Sequence, residues 1–199
     1  MKRDRRLGPR LAFSADRAGM ADHDKAERFR RIMLPYMDAA YNLARYLARD
    51  ADAAEDIAQE AFLRAYRGFD GWRGDAPKSW LLTIVRNCHL NHVAQNAKVI
   101  AAGNVDDWTG DLPSELVERR DPEAVLADKN EATMLRARIE QLPEPFRETL
   151  VLRELEELSY KEIATITQVP IGTVMSRLAR ARQLLADLLL PGLPEGAKP

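Results

Sequence analysis

Cysteine is nearly missing: Cys88 stands alone among 199 residues. No disulfide can form within the chain, which suits a reducing compartment. No apolar run approaches the roughly 18 residues that a membrane span needs. The basic start, residues 1–10, has no apolar segment behind it of the kind a secretion signal carries. The expectation is a cytoplasmic protein with no membrane insertion. Strand signals are missing too. Val and Ile recur at helical spacing, and no stretch alternates apolar and polar. Chemical motifs are equally scarce. There is no glycine-rich phosphate loop, no H-E-x-x-H and no nucleophile elbow. The histidines (His23, His89, His92) do not form a catalytic set. An enzyme built on a helical bundle is therefore disfavoured, and no cofactor is expected. Cys88 and His92 lie one helical turn apart, but a metal site needs further ligands. Cys88 reads as a small buried apolar residue.

What is present is helix-forming sequence, with 31% charged residues unevenly placed. The net charge of −1 hides that layout. Residues 1–24 are polar and basic, and read as a flexible tail with Met20 as a second candidate start. Residues 25–97 are dense in helix formers. Ile32, Tyr36, Ala40, Leu43 and Leu47 share one helix face. Ile57, Phe62, Leu63 and Tyr66 follow an acidic stretch. After breaks at Gly68, Gly71, Gly74 and Pro77, a third helix over about 77–97 carries Trp80, Leu81, Ile84, Val85 and Leu90. Residues 98–125 lose periodicity, and 99–125 hold seven acids against two bases, Arg119 and Arg120. They read as a linker. Residues 126–190 are helical again, punctuated by Pro143 and Pro145 and then by Pro170. Residues 191–199 are a tail. The expected architecture is all-α: two small helical domains joined by a flexible acidic linker.

The stretch 158–182 carries the strongest motif. Ser159 and Glu162 form an S-x-x-E capping box, so a helix starts at Ser159. Ile163, Ala164 and Ile166 give it an apolar face, and it stops by Gln168. Pro170 suits the first turn of a second helix. That helix buries Val174, Leu178, Ala181 and Leu185, and displays Ser176, Arg177, Arg180 and Arg182. Residues 171–186 contain three arginines and no acid, whereas 144–162 contain six acids. Two short helices, a tight turn and a basic second helix are a helix-turn-helix signature, and such a helix reads base edges in the major groove.

Here the sequence resembles region 4 of the extracytoplasmic-function (ECF) sigma factors. The matching residues are Leu142-Pro143, Arg147, Leu150, Leu152-Arg153, Glu157, Ser159-Tyr160, Glu162-Ile163-Ala164, Val169-Pro170-Ile171-Gly172-Thr173-Val174 and Ser176-Arg177-Leu178-Ala179-Arg180-Ala181-Arg182. The resemblance implies contact with the −35 promoter element through Thr173, Ser176, Arg177, Arg180 and Arg182. Met175 stands where the family often has a basic residue, and Gln168 where glycine is common.

Residues 52–66 are similar to region 2.2 of the same family. The resemblance implies docking on core RNA polymerase through Asp52, Glu55, Asp56, Gln59 and Glu60, whose charge suits a basic partner. Residues 69–81 resemble the segment that melts the −10 element, where aromatic and basic side chains hold an unstacked strand. Residues 81–95 resemble region 2.4. Together these imply −10 contacts from Trp72, Arg73, Asp75, Ser79, Arg86, Asn87 and Asn91, with Trp80 expected in the core. The end of that helix is less basic than in many relatives. The implied function is an alternative sigma factor that binds core RNA polymerase and promoter DNA and opens the promoter. The resemblance also implies an anti-sigma partner, and a linker running through the RNA exit channel of polymerase. Two other readings stay open: a sigma mimic that sequesters an anti-sigma factor, and a simple helix-turn-helix regulator.

Overall fold

A computed structural model describes the backbone of residues 12–74, 76–101 and 123–189, and the side chains of 23–74, 76–97 and 132–189. Eight α-helices account for most of it: α1 (Ala12–Met33), α2 (Met37–Ala48), α3 (Ala51–Gly68), α4 (Pro77–Ala101), α5 (Glu123–Glu140), α6 (Glu144–Leu150), α7 (Tyr160–Thr167) and α8 (Ile171–Leu189). No strand occurs among the described residues, and the all-α, two-domain architecture is as expected. Most of the expected linker, 102–122, lies outside the described residues, as do 1–11 and 190–199. The helices on either side of it reach further than the sequence pattern indicates, α4 to Ala101 and α5 from Glu123. Helix α1 likewise begins at Ala12, inside the stretch read as a tail. Its alanines and arginines are good helix formers, and they outweigh the single Gly19.

The first half is a bundle of α1–α4. Pro35 breaks the run that sequence spacing joins into one helix. The chain closes a 3₁₀ turn at Leu34–Tyr36 before α2 starts. Helix α2 buries Ala40, Leu43, Ala44 and Leu47 and ends on Arg49 at φ 60°. Asp50 then caps α3 by accepting from the Ala53 N–H at 2.8 Å. The face that α3 buries is not the one its large residues mark. Ala54, Ile57, Ala61 and Ala65 pack inward, which lets α2 and α4 approach closely. Phe62 and Tyr66 are only half-buried and Leu63 is exposed. Helix α4 buries Leu81, Leu82, Val85, Cys88 and His89, while Leu90 is exposed rather than core. Trp80 is half-buried against the core.

The second half is built on α6, α7 and α8. Helix α6 widens into a π turn at Val151–Leu155, closed by Glu156 N–H donating to the Val151 carbonyl at 3.1 Å. Glu157 then sits at φ 56°, and Leu158 N–H reaches back to the Leu152 carbonyl at 3.0 Å. This is a Schellman-type ending, which turns the chain into the next cap. Ser159 is the N-cap of α7 rather than its first residue, and both arms of the capping box form with Glu162. Gln168 ends α7 at φ 57°. Pro170 precedes α8, and its carbonyl accepts from the Thr173 and Val174 N–H groups. Val174, Leu178 and Ala181 are buried against Ile163 and Ile166, whereas Leu185 is half-buried.

A left-handed conformation costs a non-glycine residue on the order of 1–2 kcal/mol, part of which glycine's own chain entropy returns. Gln168 is exposed and its side chain makes no hydrogen bond among the described residues. Gln168→Gly is therefore expected to stabilise the chain by about 0.5–1 kcal/mol, read as a higher urea midpoint at unchanged slope. A lower midpoint would show that the turn depends on the glutamine side chain.

Candidate nucleic-acid interface

Helix α8 presents its polar face as its apolar spacing requires. With Val174, Leu178 and Ala181 turned inward, Ser176, Arg180 and Arg182 are exposed and Thr173 and Arg177 half-buried. The Ser176 hydroxyl donates to the Thr173 carbonyl at 3.0 Å, closing the helix's first turns. Arg180 makes no ion pair among the described residues, so its guanidinium faces solvent. Arg182 is engaged: its Nε and Nη2 donate to one Glu154 oxygen at 3.1 and 2.6 Å. That pair raises the Arg182 pKa further, so the residue stays charged.

Helix α3 carries its acids outward. Asp52, Glu55, Asp56 and Gln59 are exposed. Glu60 is half-exposed and accepts from Arg64 Nε at 2.6 Å, one turn on. Beside this row runs an apolar groove of about 710 Å³ between α1, α2 and α3. Phe29, Met37, Tyr41, Phe62 and Leu63 line it, with Glu55 at its rim. Phe62 and Tyr66 are half-buried against the core and open onto this groove with exposed Leu63, while alanines take the buried face of α3. Phe29 meets the rings of Phe62, Tyr66 and Phe69 edge-on at 5.3–6.2 Å.

The residues expected at −10 DNA fall into two groups. Trp72 stacks on Phe69 at 5.9 Å and lies 6.0 Å from Trp80, forming an aromatic ledge. Arg73, Asn87 and Asn91 are exposed. Asp75 lies outside the described residues. Ser79 and Arg86 are not free. The Ser79 hydroxyl donates to Glu162 Oε1 at 2.7 Å, and Arg86 Nε donates to Glu148 Oε1 at 2.6 Å. Both acids come from the second half of the chain.

These two contacts belong to a continuous seam. Lys78 Nζ donates to the Glu156 carbonyl at 2.7 Å and pairs with its carboxylate at 2.8 Å. Arg45 pairs with Glu140 at 3.2 Å. His89 Nε2 lies 3.5 Å from Glu144 Oε1, and neither ring nitrogen has a well-formed hydrogen bond. Buried Arg147 donates to the Leu142 carbonyl at 2.7 Å and reaches Leu47 across the seam at 3.5 Å. Sequence reasoning missed this row of acids as a docking face. Its signal was the density of acids over 140–162, of which Glu144 and Glu148 lie one turn apart on α6.

Burial sets the electrostatics here. It pushes the Glu148 carboxyl up, against the pull of Arg86. Glu162 is held low by the Ser159 and Ser79 hydroxyls and the Ser159 N–H, so it stays ionised. Burial also raises the Cys88 thiol and leaves it protonated. Among the described residues, no three His, Cys, Asp or Glu side chains gather as metal ligands.

Comparison with known proteins agrees with this geometry. Residues 32–99 match the model for sigma-70 region 2, and 132–185 the model for sigma-70, region 4. The RNA polymerase sigma-H factor of Pseudomonas aeruginosa is 39% identical over 174 residues, covering 84% of this chain and 89% of its own length. The ECF RNA polymerase sigma factor SigE of Mycolicibacterium smegmatis is 31% identical, covering 93% of this chain and 68% of its own. Among solved structures, the sigma factor RpoE in complex with the anti-sigma factor NepR, from Bartonella quintana, aligns with a TM-score of 0.65 at 25% identity, over 82% of this chain and 97% of that one. The chain belongs to the ECF RNA polymerase sigma factor family, which is not a class of enzymes. Among the described residues, no helix is long and apolar enough to cross a membrane.

The buried histidine gives a pH dependence with a definite sign. Burial lowers the His89 pKa below the free imidazole value of 6.5, with Glu144 pulling upward and His92 and Arg147 adding to the depression. The folded chain then binds fewer protons than the unfolded one below that value. Stability is fully present above about pH 6.5 and lost as pH falls through the lowered folded pKa. Glu148 acts in the opposite sense, since its raised pKa lets the folded chain take up a proton before the unfolded one. Melting temperatures at pH 8 and pH 5.5 should therefore differ less in His89→Leu than in the wild type. An equal acid loss in both would remove His89 as the cause.

Proposed function

We propose that this chain acts by binding core RNA polymerase and carrying it to promoter DNA, with residues 25–97 serving polymerase and the −10 element and 126–190 the −35 element. The observation that carries this reading is the helix-turn-helix face of α8. Thr173, Ser176, Arg177 and Arg180 line one side of a helix locked from behind by Val174, Leu178 and Ala181. Arginines in that position donate to guanine or phosphate. Asp52, Glu55, Asp56, Gln59 and Glu60 form a separate acidic face beside the apolar groove, which suits a helical partner with apolar anchors and basic flanks. Trp72 on its aromatic ledge, with Arg73, Asp75, Ser79, Arg86, Asn87 and Asn91, is the surface we assign to the −10 strand.

This is a binding factor without catalysis of its own, working in the cytoplasm with polymerase. An anti-sigma protein is a fitting regulator, since the groove and acid row that meet polymerase would serve an inhibitory helix equally well. The linker, 98–125, is assigned to the interior of polymerase on its acidic sequence.

Run-off transcription with purified core polymerase tests this assignment. Arg180→Ala is expected to remove −35-dependent output, since a lost base contact costs roughly 1–3 kcal/mol, while pull-down of core enzyme stays intact. Asp56→Ala with Glu60→Ala should show the converse, weakened capture of polymerase. Normal promoter output from Arg180→Ala would count against α8 as the reading helix.

A further inference from the structure

The outward face of α8 is not uniform. On one flank stand Thr173, Arg177 and Arg180, the donors assigned to the −35 element. The opposite flank starts with Ile171 and Met175, one turn apart and 46% and 53% exposed. Arg182 follows on the same side, about two turns beyond Met175. Its Nε and Nη2 are spent on Glu154, at 3.1 and 2.6 Å. Between the flanks lie Gly172, Ser176 and Ala179, all exposed. A Cβ on Gly172 would meet nothing within 4 Å, and the Ser176 hydroxyl turns back to the Thr173 carbonyl at 3.0 Å. Short side chains in the middle leave both flanks free to reach past them.

Ile171 and Met175 do not serve the core, since their helix buries its other side through Val174, Leu178 and Ala181. They occupy the first and second turns of α8. That is the end of a reading helix that meets base edges. An apolar side chain there has one complement. The major-groove edges of the bases offer hydrogen-bond donors and acceptors, and on thymine alone a methyl group. Against any other base Met175 would cover polar atoms and satisfy none.

We propose that Met175, supported by Ile171, is a specificity residue: it selects thymine at one step of the −35 element by packing on the 5-methyl group, while the Arg180 flank supplies hydrogen bonds and charge. The inference rests on the reading of α8 as the −35 helix. A protein partner fits this flank less well. It is the convex side of a helix, unlike the groove lined by Phe29, Met37 and Phe62 in the other half.

The test uses the full chain bound to core polymerase. Duplexes randomised across the promoter length are selected for binding. The recovered upstream element is then synthesised with each thymine replaced in turn by deoxyuridine, which keeps every hydrogen-bonding group and removes only the methyl. Competition binding reads the affinity. At one thymine the wild type should lose roughly fourfold, the worth of about one buried methyl-sized group. Met175→Ala should lose about as much on the thymine duplex and nothing further on deoxyuridine at that step, the non-additivity of a direct contact. Selection with Met175→Arg should put guanine in place of that thymine, as a bidentate donor requires. Met134→Ala removes a comparably exposed methionine, 60%, from α5 and should leave selection and deoxyuridine sensitivity unchanged. An element with no methyl-sensitive thymine overturns the proposal and leaves α8 as the reader. An undiminished deoxyuridine penalty in Met175→Ala does the same. Loss of core-polymerase capture in Met175→Ala would assign the flank to a protein partner and overturn the proposal too. If the wild type captures core polymerase yet enriches no upstream element, the reading of α8 itself falls, and the proposal with it.

Discussion

The buried pair of Arg86 and Glu148 ties the two halves at their centre. Its 2.6 Å contact joins residues 62 positions apart in sequence. Around it, Ser79 with Glu162 and Lys78 with Glu156 fix one end of the docking, and Arg45 with Glu140 fixes the other. Such pairs give register more than strength, because desolvating both charges consumes most of their attraction. Removing one member is a different matter, since it strands a buried charge. The charged pairs therefore make the docked arrangement specific in geometry, while apolar contacts between the helices accompany them.

Most of the stability comes from apolar packing, in a buried cluster to which both halves contribute. In the first, an alanine-lined α3 sets the spacing. Ala54, Ala61 and Ala65 bring α2 and α4 close enough for Leu43, Leu81 and Val85 to be fully enclosed. The cost of that choice is borne by Phe62, Leu63 and Tyr66, which have no room inside and line a surface groove with Phe29. An exposed apolar groove edged by acids is a liability in an isolated chain and an asset in one that has a partner. In the second half, left-handed residues at Glu157 and Gln168 set the two sharp turns on either side of α7. They fix how α8 stands relative to α6, and so which way its arginines point.

Much of this was legible in the sequence where the signal is local. The S-x-x-E box gave the start of α7, and Pro170 with the spacing of Val174, Leu178 and Ala181 gave α8 and its arginine face. The motif placed a break at Gln168, and the structure adds that this residue is left-handed, at φ 57°. What was not legible depends on which helix meets which. Phe62, Leu63 and Tyr66 recur at helical spacing, as core residues do, and only the packing of α2 and α4 shows that the alanines win the inner face. The engagement of Ser79 and Arg86 was invisible because their partners lie 83 and 62 residues away. The acids of α6 were seen as a contrast to the basic helix, not as a surface in their own right.

The layout of charge also separates what salt can reach from what it cannot. The acid row of α3 and Arg180 on α8 are solvent-facing, so their interactions with partners are screened over about 8–10 Å at ordinary ionic strength. Glu148 and Glu156 are nearly enclosed, and their pairs with Arg86 and Lys78 are screened far less. Raising salt therefore weakens encounters with polymerase or DNA faster than it weakens the seam. The near-neutral total, −1 over the whole chain, conceals two separate placements of charge: exposed faces open to solvent, and a protected row that joins the two halves.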